Sequence, residues 1–270
     1  MDALTFGPEA YTQGDQFQRE KRSLFAKTWL PFCAAEQIAR PGEFVNHTLG
    51  GWPVLAIRGA DGAPRAFQNV CRHQNMPVVD KPAGQCDQLR CRFHGWTYDL
   101  AGAFVSAPPH VAPADPGSQQ LHAIALGDRE GVLFVRLEAG DGAPPGFDLE
   151  GRRFAAAVTT DIGANWKTFV EALLPDTSWR FIWPIAFLAT VDGFRIVRQV
   201  VPRTFNRTRV VDLLFGPSDA GADAARARIS ALAGEDKRRA EALQERRAAG
   251  DTAAENDAVA EFRSRVAAAI

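Results

Sequence analysis

Two short boxes carry the side chains best suited to metal chemistry, Cys71-Arg-His73 and Cys91-Arg-Phe-His94. Two thiolates and two imidazoles are good ligands for a transition metal. One interpretation is a structural Cys2His2 zinc site. Zinc fingers usually group cysteine with cysteine and histidine with histidine, whereas each box here supplies one of each. This pairing suits a binuclear centre to which each box gives one ligand per metal ion.

The boxes and their flanks resemble a known family. Seventeen residues separate His73 from Cys91, and the flanking segments read "AFQNVCRH" and "CRFHGWTYDLAGAF". They resemble the Rieske [2Fe–2S] signature, specifically that of the large (α) subunits of Rieske non-haem iron oxygenases. The resemblance implies a [2Fe–2S] cofactor in which Cys71 and Cys91 hold one iron and His73 and His94 hold the other. It covers residues 10–137 well and the remainder of the chain more weakly.

Several positions around the boxes refine the subtype. Rieske proteins of respiratory complexes carry an extra cysteine in each box, and those two cysteines form a disulfide. The equivalent residues here are Met76 and Phe93, so that disulfide cannot form, which fits the oxygenase type. Trp96 is expected to shield the cluster. Gln74 and Asn75 replace the Arg-Gly that commonly follows the first histidine, which predicts a modest change in potential or docking.

The second half departs from the family where a catalytic iron would be held. Rieske oxygenases hold a mononuclear Fe(II) with two histidines and one carboxylate. Their pattern resembles N-W-K-x-x-x-E-N followed by an acidic residue and H-x4-H-P, and this chain reads "NWKTFVEA" at 165–172. Alignment on Pro184 puts Ser178 and Trp183 at the two histidine positions. A spacing longer by one residue puts Trp179 and Pro184 there instead.

The histidine inventory supports the same interpretation. The five histidines all precede residue 151: His47, His73, His94, His110 and His122. We therefore expect no mononuclear iron and no catalytic residues in this chain. Asp176 is interpreted as a remnant of the family's bridging acid, with a structural role at a helix end as the alternative. His110 and His122 are expected to be surface or structural residues, the alternative being a site shared with another chain. Surface charge is the expected role of three further acids: Glu255, Asp257 and Glu261.

The first half is expected to be an N-terminal helix followed by short strands. Apolar residues at helical spacing predict a helix over 9–29. From about residue 42 the period falls to two, and Gly50-Gly51 predicts a hairpin. Strand-like segments continue to about residue 137. A Gly- and Pro-rich link at 138–151 predicts a domain boundary.

The second half mixes helices and strands. A helix is predicted around 163–174, then strands over "FRIVRQVVP" and "RTRVVDLLFG", then two helices within 219–270 split near Gly250. The predicted fold class is α+β, an all-β Rieske domain followed by a shortened helix-grip-like domain of antiparallel sheet plus helices. The predicted domains are a helical segment at 1–40, the Rieske domain at 41–150 and a degenerate, truncated oxygenase-type domain at 151–270.

Composition restricts the environment of the protein. The net charge of −1 over 270 residues gives no general attraction to nucleic acid or to an acidic membrane. The sequence has no apolar run near the roughly 20 residues that span a bilayer, and its beginning lacks the features of an export signal. A cytoplasmic protein with neither nucleic-acid nor membrane partners is predicted. Cys33 and Cys86 are expected to be buried or free thiols.

The resemblance leads to a functional hypothesis that requires partners. The chain is predicted to be an electron-transferring, catalytically degenerate α-like subunit of a hetero-oligomeric Rieske oxygenase, with a trimer-based assembly such as α3β3. Electrons would come from an NAD(P)H-dependent reductase or ferredoxin and pass to the iron of a homologous, intact catalytic subunit. One alternative is a structural subunit whose cluster is not a required relay. The other is a self-sufficient oxygenase with an unusual metal site. The sequence leaves the substrate and the reaction type open.

Overall fold

The first half is built on antiparallel sheet. The computed structural model of the protein describes residues 7–218 and 220–270. The strands of the first half are, in chain order, β1 (Leu30–Ala34), β2 (Glu43–Leu49), β3 (Trp52–Arg58), β4 (Pro64–Gln68), β5 (Ala83–Gln85), β6 (Leu89–Arg90), β7 (Thr97–Tyr98), β8 (Phe104–Ser106), β9 (Ala123–Arg129) and β10 (Val132–Arg136). A seven-stranded sheet has the order β1-β10-β9-β4-β3-β2-β5, and a three-stranded sheet has the order β6-β7-β8. The metal boxes lie in the connections that follow β4 and β6.

The predicted hairpin is present at the expected glycines. Leu49 at the end of β2 pairs with Trp52 at the start of β3. Gly50 and Gly51 have φ of 56° and 79°. Two successive residues with positive φ give the turn whose twist matches that of the flanking strands.

The N-terminal helical segment is interrupted and shorter than predicted. It consists of α1 (Glu9–Thr12), α2 (Gly14–Glu20) and a π-helical turn (Lys21–Phe25). The extended backbone of Gln13 (φ −102°, ψ 134°) separates the two helices. Leu30–Ala34, which fell inside the predicted helical segment 1–40, instead forms β1: its five consecutive residues are buried, and four of them pair with β10. Residues 1–6 of that segment lie outside the described residues.

The second half contains one antiparallel sheet with helices packed on it. Its elements are, in chain order, β11 (Arg153–Ile162), α3 (Trp166–Leu173), β12 (Arg180–Ile182), β13 (Ala186–Val191), β14 (Phe194–Thr204), β15 (Arg207–Gly216), α4 (Ala222–Ala248) and α5 (Asp257–Ala269). The strand order is β11-β15-β14-β13-β12. The predicted α3, β14, β15 and pair of C-terminal helices are all present, whereas β11 to β13 were not predicted. Residues 139–149, inside the predicted link, have no regular structure.

Apolar packing joins the two halves and supports the metal boxes. Val45 and Leu49 of the first sheet belong to the same buried cluster as Val200 of the second sheet. A separate buried cluster, which includes Phe67 and Leu89, lies under the boxes and contains both box cysteines. The boxes are therefore anchored on a packed core of their own. None of the helices described is both long enough and apolar enough to span a membrane.

Candidate metal centre

The two boxes fold into turns with the same hydrogen-bond pattern. The Cys71 N–H donates to the Met76 carbonyl at 2.7 Å, and the Cys91 N–H donates to the Trp96 carbonyl at 2.9 Å. Each bond joins a cysteine to the residue five positions later. The two turns therefore hold their cysteines in the same way, while the histidine stands two positions after Cys71 and three after Cys91.

The residue four positions after each cysteine closes the turn. The N–H groups of Asn75 and Gly95 donate to the carbonyls of Cys71 and Cys91 at 3.0 and 2.9 Å. Asn75 has φ 58° and Gly95 has φ 73°. Glycine takes this left-handed conformation freely, and asparagine is several-fold enriched in it. Asn75 can therefore replace the glycine that the resemblance leads us to expect, without opening the turn.

The imidazoles of the two boxes meet. The ring centroids of His73 and His94 lie 4.7 Å apart, with the planes at 89°. His73 Nδ1 is buried, and no group within residues 7–218 and 220–270 forms a hydrogen bond with it. A buried polar atom is costly unless something binds it. This nitrogen therefore fits a metal ligand.

The two thiols also lie together, beside a tyrosine. Cys71 and Cys91 are each 1% exposed. Burial raises the pKa of the Cys91 thiol, and the neighbouring Cys71 raises it further. The Tyr98 oxygen lies 3.3 Å from Cys71 Sγ and accepts a hydrogen bond from the Arg72 N–H at 3.0 Å. Because that oxygen already accepts a bond, its own proton is available to the sulfur.

The four box side chains are thus brought together as a thiol pair and an imidazole pair. In the described part of the chain, no three potential ligands converge as they would around a single metal ion. Two thiolates and two imidazoles are the donor set of a Rieske [2Fe–2S] centre. The donors therefore fit that group, although sequence reasoning did not identify Tyr98 as their neighbour.

The residues around the boxes agree with the expected oxygenase type. The Trp96 ring stacks on His73 with centroids 5.1 Å apart, and its indole N–H donates to the Val111 carbonyl at 2.9 Å. Met76 packs partly buried against the local core, and Phe93 is 44% exposed. Trp96 is thus in position to shield one imidazole from water.

The remaining cysteines and histidines lie elsewhere. Cys33 is buried, which raises its pKa, and Cys86 is half-buried; both are free thiols. His110 is exposed on a short 3-10 turn. The exposed His122 contacts the Arg72 guanidinium beside the first box. His47 is packed between the Thr48 and Phe32 carbonyls, 3.2 Å from each.

A second group of buried polar side chains surrounds the end of α3. Glu171 Oε1 accepts hydrogen bonds from the Tyr11 hydroxyl at 2.7 Å and from Arg263 Nε at 2.8 Å. Its Oε2 accepts from Arg263 Nη2 at 2.9 Å and from Arg247 Nε at 3.1 Å. A carboxylate offers about four lone-pair positions, and all four are used here. We call these four residues the Glu171 network.

A buried ion pair lies next to this network. Lys167 Nζ is 2.5 Å from Glu20 Oε1, and neither side chain is exposed to solvent. The Trp166 indole donates to Glu20 Oε2 at 2.7 Å. Burial lowers the pKa of Lys167, and the Glu20 carboxylate opposes that shift. The "NWK" segment therefore fixes α3 to α2.

Ser178 and Trp183, the first pair of positions where the family has its iron-binding histidines, lie in different surroundings. Ser178 is exposed, and its hydroxyl and N–H both donate to Asp176 Oδ1, at 2.6 and 3.0 Å. These bonds lower the pKa of Asp176. Asp176 thus stabilises a local turn after α3. Trp183 instead packs towards α5, where the Arg265 guanidinium lies 4.4 Å from its ring centroid.

Trp179 and Pro184, the pair given by the longer spacing, are both buried. The Arg198 guanidinium lies 4.1 Å from the ring centroid of Trp179. Arg198 itself is held by Asp212 at 2.7 Å and by Asp236 at 2.5 Å. Pro184 is buried and follows a cis peptide bond. These contacts are typical of a packed interior.

Aromatic side chains occupy the space between the start of β13 and α5. The ring of Phe262 lies 5.7 Å from Trp166, 5.7 Å from Phe181 and 6.2 Å from Trp183, all in edge-type contacts. Such contacts favour dense apolar packing. The three acids expected to contribute surface charge are exposed on or before α5: Glu255, Asp257 and Glu261.

Comparisons with known proteins agree with the centre and the fold. The family model described as "Rieske [2Fe-2S] domain" matches residues 28–125. The carnitine monooxygenase oxygenase subunit of Acinetobacter baumannii is 27% identical over 184 residues, which are 63% of this chain and 50% of the relative. The chlorobenzene dioxygenase α subunit of a Cupriavidus species is 38% identical over 101 residues, 37% of this chain and 22% of the relative. The matches to the first of these relatives thus span about half of its length.

A solved structure extends the likeness of fold to both halves. The apo form of the quaternary ammonium Rieske monooxygenase CntA superposes with a TM-score of 0.79 at 20% identity, covering 98% of this chain and 94% of that one. The predicted α+β fold, a Rieske domain followed by antiparallel sheet with helices, is confirmed. The chain therefore carries a Rieske [2Fe–2S] domain and is similar in sequence and fold to the α subunits of Rieske oxygenases.

Proposed function

We propose that this chain is an electron-transferring, catalytically degenerate α-like subunit of a hetero-oligomeric, cytoplasmic Rieske oxygenase. It receives electrons from an NAD(P)H-dependent reductase or ferredoxin and supplies the mononuclear iron of a homologous, intact catalytic subunit. A trimer-based assembly such as α3β3 brings the two subunits together. The oxygenase class comes from relatives such as the carnitine monooxygenase oxygenase subunit.

The box residues supply what the relay needs. Cys71, His73, Cys91 and His94 hold a [2Fe–2S] cluster, which supplies one-electron chemistry when bound. Burial of the thiols and the stacking of Trp96 on His73 exclude water from one side of the centre. The imidazoles are less buried than the thiols, so they form the side that a redox partner approaches.

One observation carries the degenerate part of the proposal: no histidine follows residue 122 in this sequence. The histidine positions hold Ser178 and Trp183 or, at the longer spacing, Trp179 and Pro184. Serine is a poor ligand for Fe(II) and tryptophan is none. The saturated hydrogen bonds of Glu171 and the aromatic packing around Phe262 support the same conclusion. Hence we propose that the chain holds no mononuclear iron.

Metal analysis tests this directly. The chain purified alone is expected to contain about two iron atoms and two acid-labile sulfides per chain, the content of one [2Fe–2S] cluster. Its EPR spectrum after reduction should show the cluster alone. A third iron together with oxygenase turnover of the isolated chain would overturn the proposal.

A second candidate function is a structural subunit that holds the catalytic subunit in its oligomer. The Glu171 network favours it, because its hydrogen bonds join α3 to α1, α4 and α5 through protein side chains. Cys91→Ser in the assembled complex separates the two, with Cys86→Ser as the matched control for a thiol outside the boxes. Lost turnover with intact assembly supports the relay. Normal turnover without the cluster supports the structural role.

A further inference from the structure

Gln199 of β14 carries a fully buried amide. Its side chain is 0% exposed, and no group within residues 7–218 and 220–270 forms a hydrogen bond with its Oε1 or its Nε2. The four nearest positions on its face of the sheet are apolar: Val197, Val201, Ala186 and Val211. A buried amide is costly unless its polar atoms are bonded. Gln199 is therefore suited to bind a group from outside its own sheet.

The face of the second sheet that carries Gln199 is turned to the first sheet. The preceding residue, Arg198, pairs with Asp236 of α4 on the helical side, and successive residues of a strand point to opposite faces. Val211, directly opposite Gln199 on β15, lines a cavity of about 180 Å³ between the two sheets. Gln199 therefore lies at the inner side of this cavity, one strand further from the edge strand β11.

The cavity has mainly apolar walls and an opening to solvent. Residues of both sheets line it, among them Phe32, Val45, His47, Ala157, Val211 and Leu213. His47 stacks on Phe32 with ring centroids 4.2 Å apart, which gives one wall a flat surface. The lining residues exposed to solvent are Pro82, Ala83 and Thr159. A flat apolar molecule can therefore enter and contact both sheets.

Most polar side chains of the lining are already paired within the protein. Both ring nitrogens of His47 contact carbonyls at 3.2 Å, and Arg209 is held by Asp161. Two amides of the lining also form hydrogen bonds with the protein, those of Gln37 and Asn46. A molecule in the cavity would thus find its complementary polar group at Gln199.

We infer that this inter-sheet cavity binds a small neutral molecule with a carboxamide on an apolar ring. A carboxamide presents an acceptor and N–H donors in one plane, so it can pair with Oε1 and Nε2 of Gln199 together. An apolar cavity of about 150 Å³ holds benzene, and the cavity here, at about 180 Å³, leaves room for the substituent. The inference is independent of the proposed function, because neither the metal boxes nor the Glu171 network takes part.

The test uses the full chain with its cluster and two probes, benzamide and toluene, which share a ring and differ in the amide. Isothermal titration calorimetry gives their dissociation constants. We expect benzamide to bind at least roughly fivefold more tightly than toluene, because it gains two hydrogen bonds. Gln199→Met keeps the length of the side chain and removes both polar atoms, so it should abolish this preference and leave toluene affinity unchanged. Gln120→Met, at an exposed glutamine in a loop, is the matched control.

A second variant locates the site. Ala157→Leu fills the cavity from β11 and should abolish binding of both probes. An unchanged cluster spectrum and a cooperative thermal transition establish that each variant is folded. The inference is overturned if the wild-type chain binds benzamide no more tightly than toluene, if Gln199→Met binds benzamide as tightly as the wild type, or if Ala157→Leu retains both probes. The first result would assign to Gln199 an internal water alone.

Discussion

The metal boxes and the Glu171 network are both buried polar clusters. They differ in whether their ligand-type atoms have hydrogen-bond partners. At the boxes, His73 Nδ1 is buried without a hydrogen-bond partner in the described chain. In the network, both oxygens of Glu171 accept two hydrogen bonds each. A polar cluster with an unpaired, ligand-type atom is suited to bind something. A carboxylate whose four acceptor positions are filled instead stabilises the protein as it is, and the one unbonded nitrogen of its network, Arg247 Nη2, lies 3.0 Å from Glu171 Oε2 as an ion pair.

The difference shows how the two halves of one fold can separate their roles. The first half keeps its turns closed by backbone bonds, so the side chains of the boxes remain free to act as ligands. In the second half the Glu171 carboxylate is satisfied by side chains of elements distant in sequence.

The largest effect is expected from Glu171→Gln. The change removes the carboxylate that pairs with both Arg247 and Arg263, which stay buried. Breaking a buried ion pair from one side typically costs about 3–5 kcal/mol. Urea unfolding followed by tryptophan fluorescence measures the loss, and the absorption spectrum of the cluster in the folded protein should not change.

The matched control for this change is Asp161→Asn. Asp161 accepts two hydrogen bonds from Arg209, but its side chain is 66% exposed. An exposed pair contributes at most about 1 kcal/mol. Equal losses for Glu171→Gln and Asp161→Asn would contradict the structural role of the network.

Tyr98→Phe removes a tyrosine hydroxyl from the metal boxes, and Tyr11→Phe removes one from the Glu171 network. Each is expected to lower the free energy of unfolding by roughly 1 kcal/mol. Tyr98→Phe alone should also lower the reduction potential of the cluster, because a hydrogen bond to a ligand sulfur favours the reduced form. Potentiometric titration measures this, and an unchanged potential in Tyr98→Phe would show that its hydroxyl does not reach the sulfur.

Because the two boxes share a turn geometry, alanine at the equivalent positions of the two turns is expected to lower stability by similar amounts. Asn75→Ala and Gly95→Ala should each destabilise by roughly 1–2 kcal/mol, since both positions have positive φ. Asn75→Gly should be neutral within a few tenths of a kcal/mol. Thermal unfolding of the three variants checks this. A loss confined to one box would show that the turns are not equivalent.

The smallest effect concerns His47, which lies between the two sheets. Burial lowers its pKa below the ordinary value of 6.5, and Arg209 and Arg203 lower it further, against the Thr48 and Phe32 carbonyls. Between the folded pKa and 6.5 the unfolded chain binds a proton that the folded chain does not. Stability therefore falls as pH decreases below about 6.5. In His47→Gln this part of the pH dependence should vanish from urea titrations, and superimposable wild-type and variant profiles would contradict it.

The local features of the centre could be predicted from the sequence. Box spacing predicted four side chains that the structure brings together as a thiol pair and an imidazole pair, and Gly50-Gly51 marked the hairpin. Both signals lie within a few neighbouring residues, where turn chemistry decides conformation. β11 was missed because its segment "RFAAAVTTDI" contains three consecutive alanines, which have low strand propensity.

The Glu171 network could not be predicted for a different reason. Arg247 and Arg263 lie 76 and 92 residues after Glu171 and belong to other helices. In the sequence they are two of many arginines in charged helices, and nothing local marks them as buried. Tyr98 was missed similarly, since only the folded turn brings it to Cys71.

The bond between Tyr11 and Glu171 has a consequence for biosynthesis. The carboxylate of Glu171 joins a residue made early, Tyr11, to one made much later, Arg263. While the chain is being translated, α3 can form without its last partner, so Glu171 must stay hydrated until residue 263 has left the ribosome. The second half is therefore expected to complete folding only after residue 263 has been made, whereas the metal boxes, finished by residue 106, can mature earlier in synthesis.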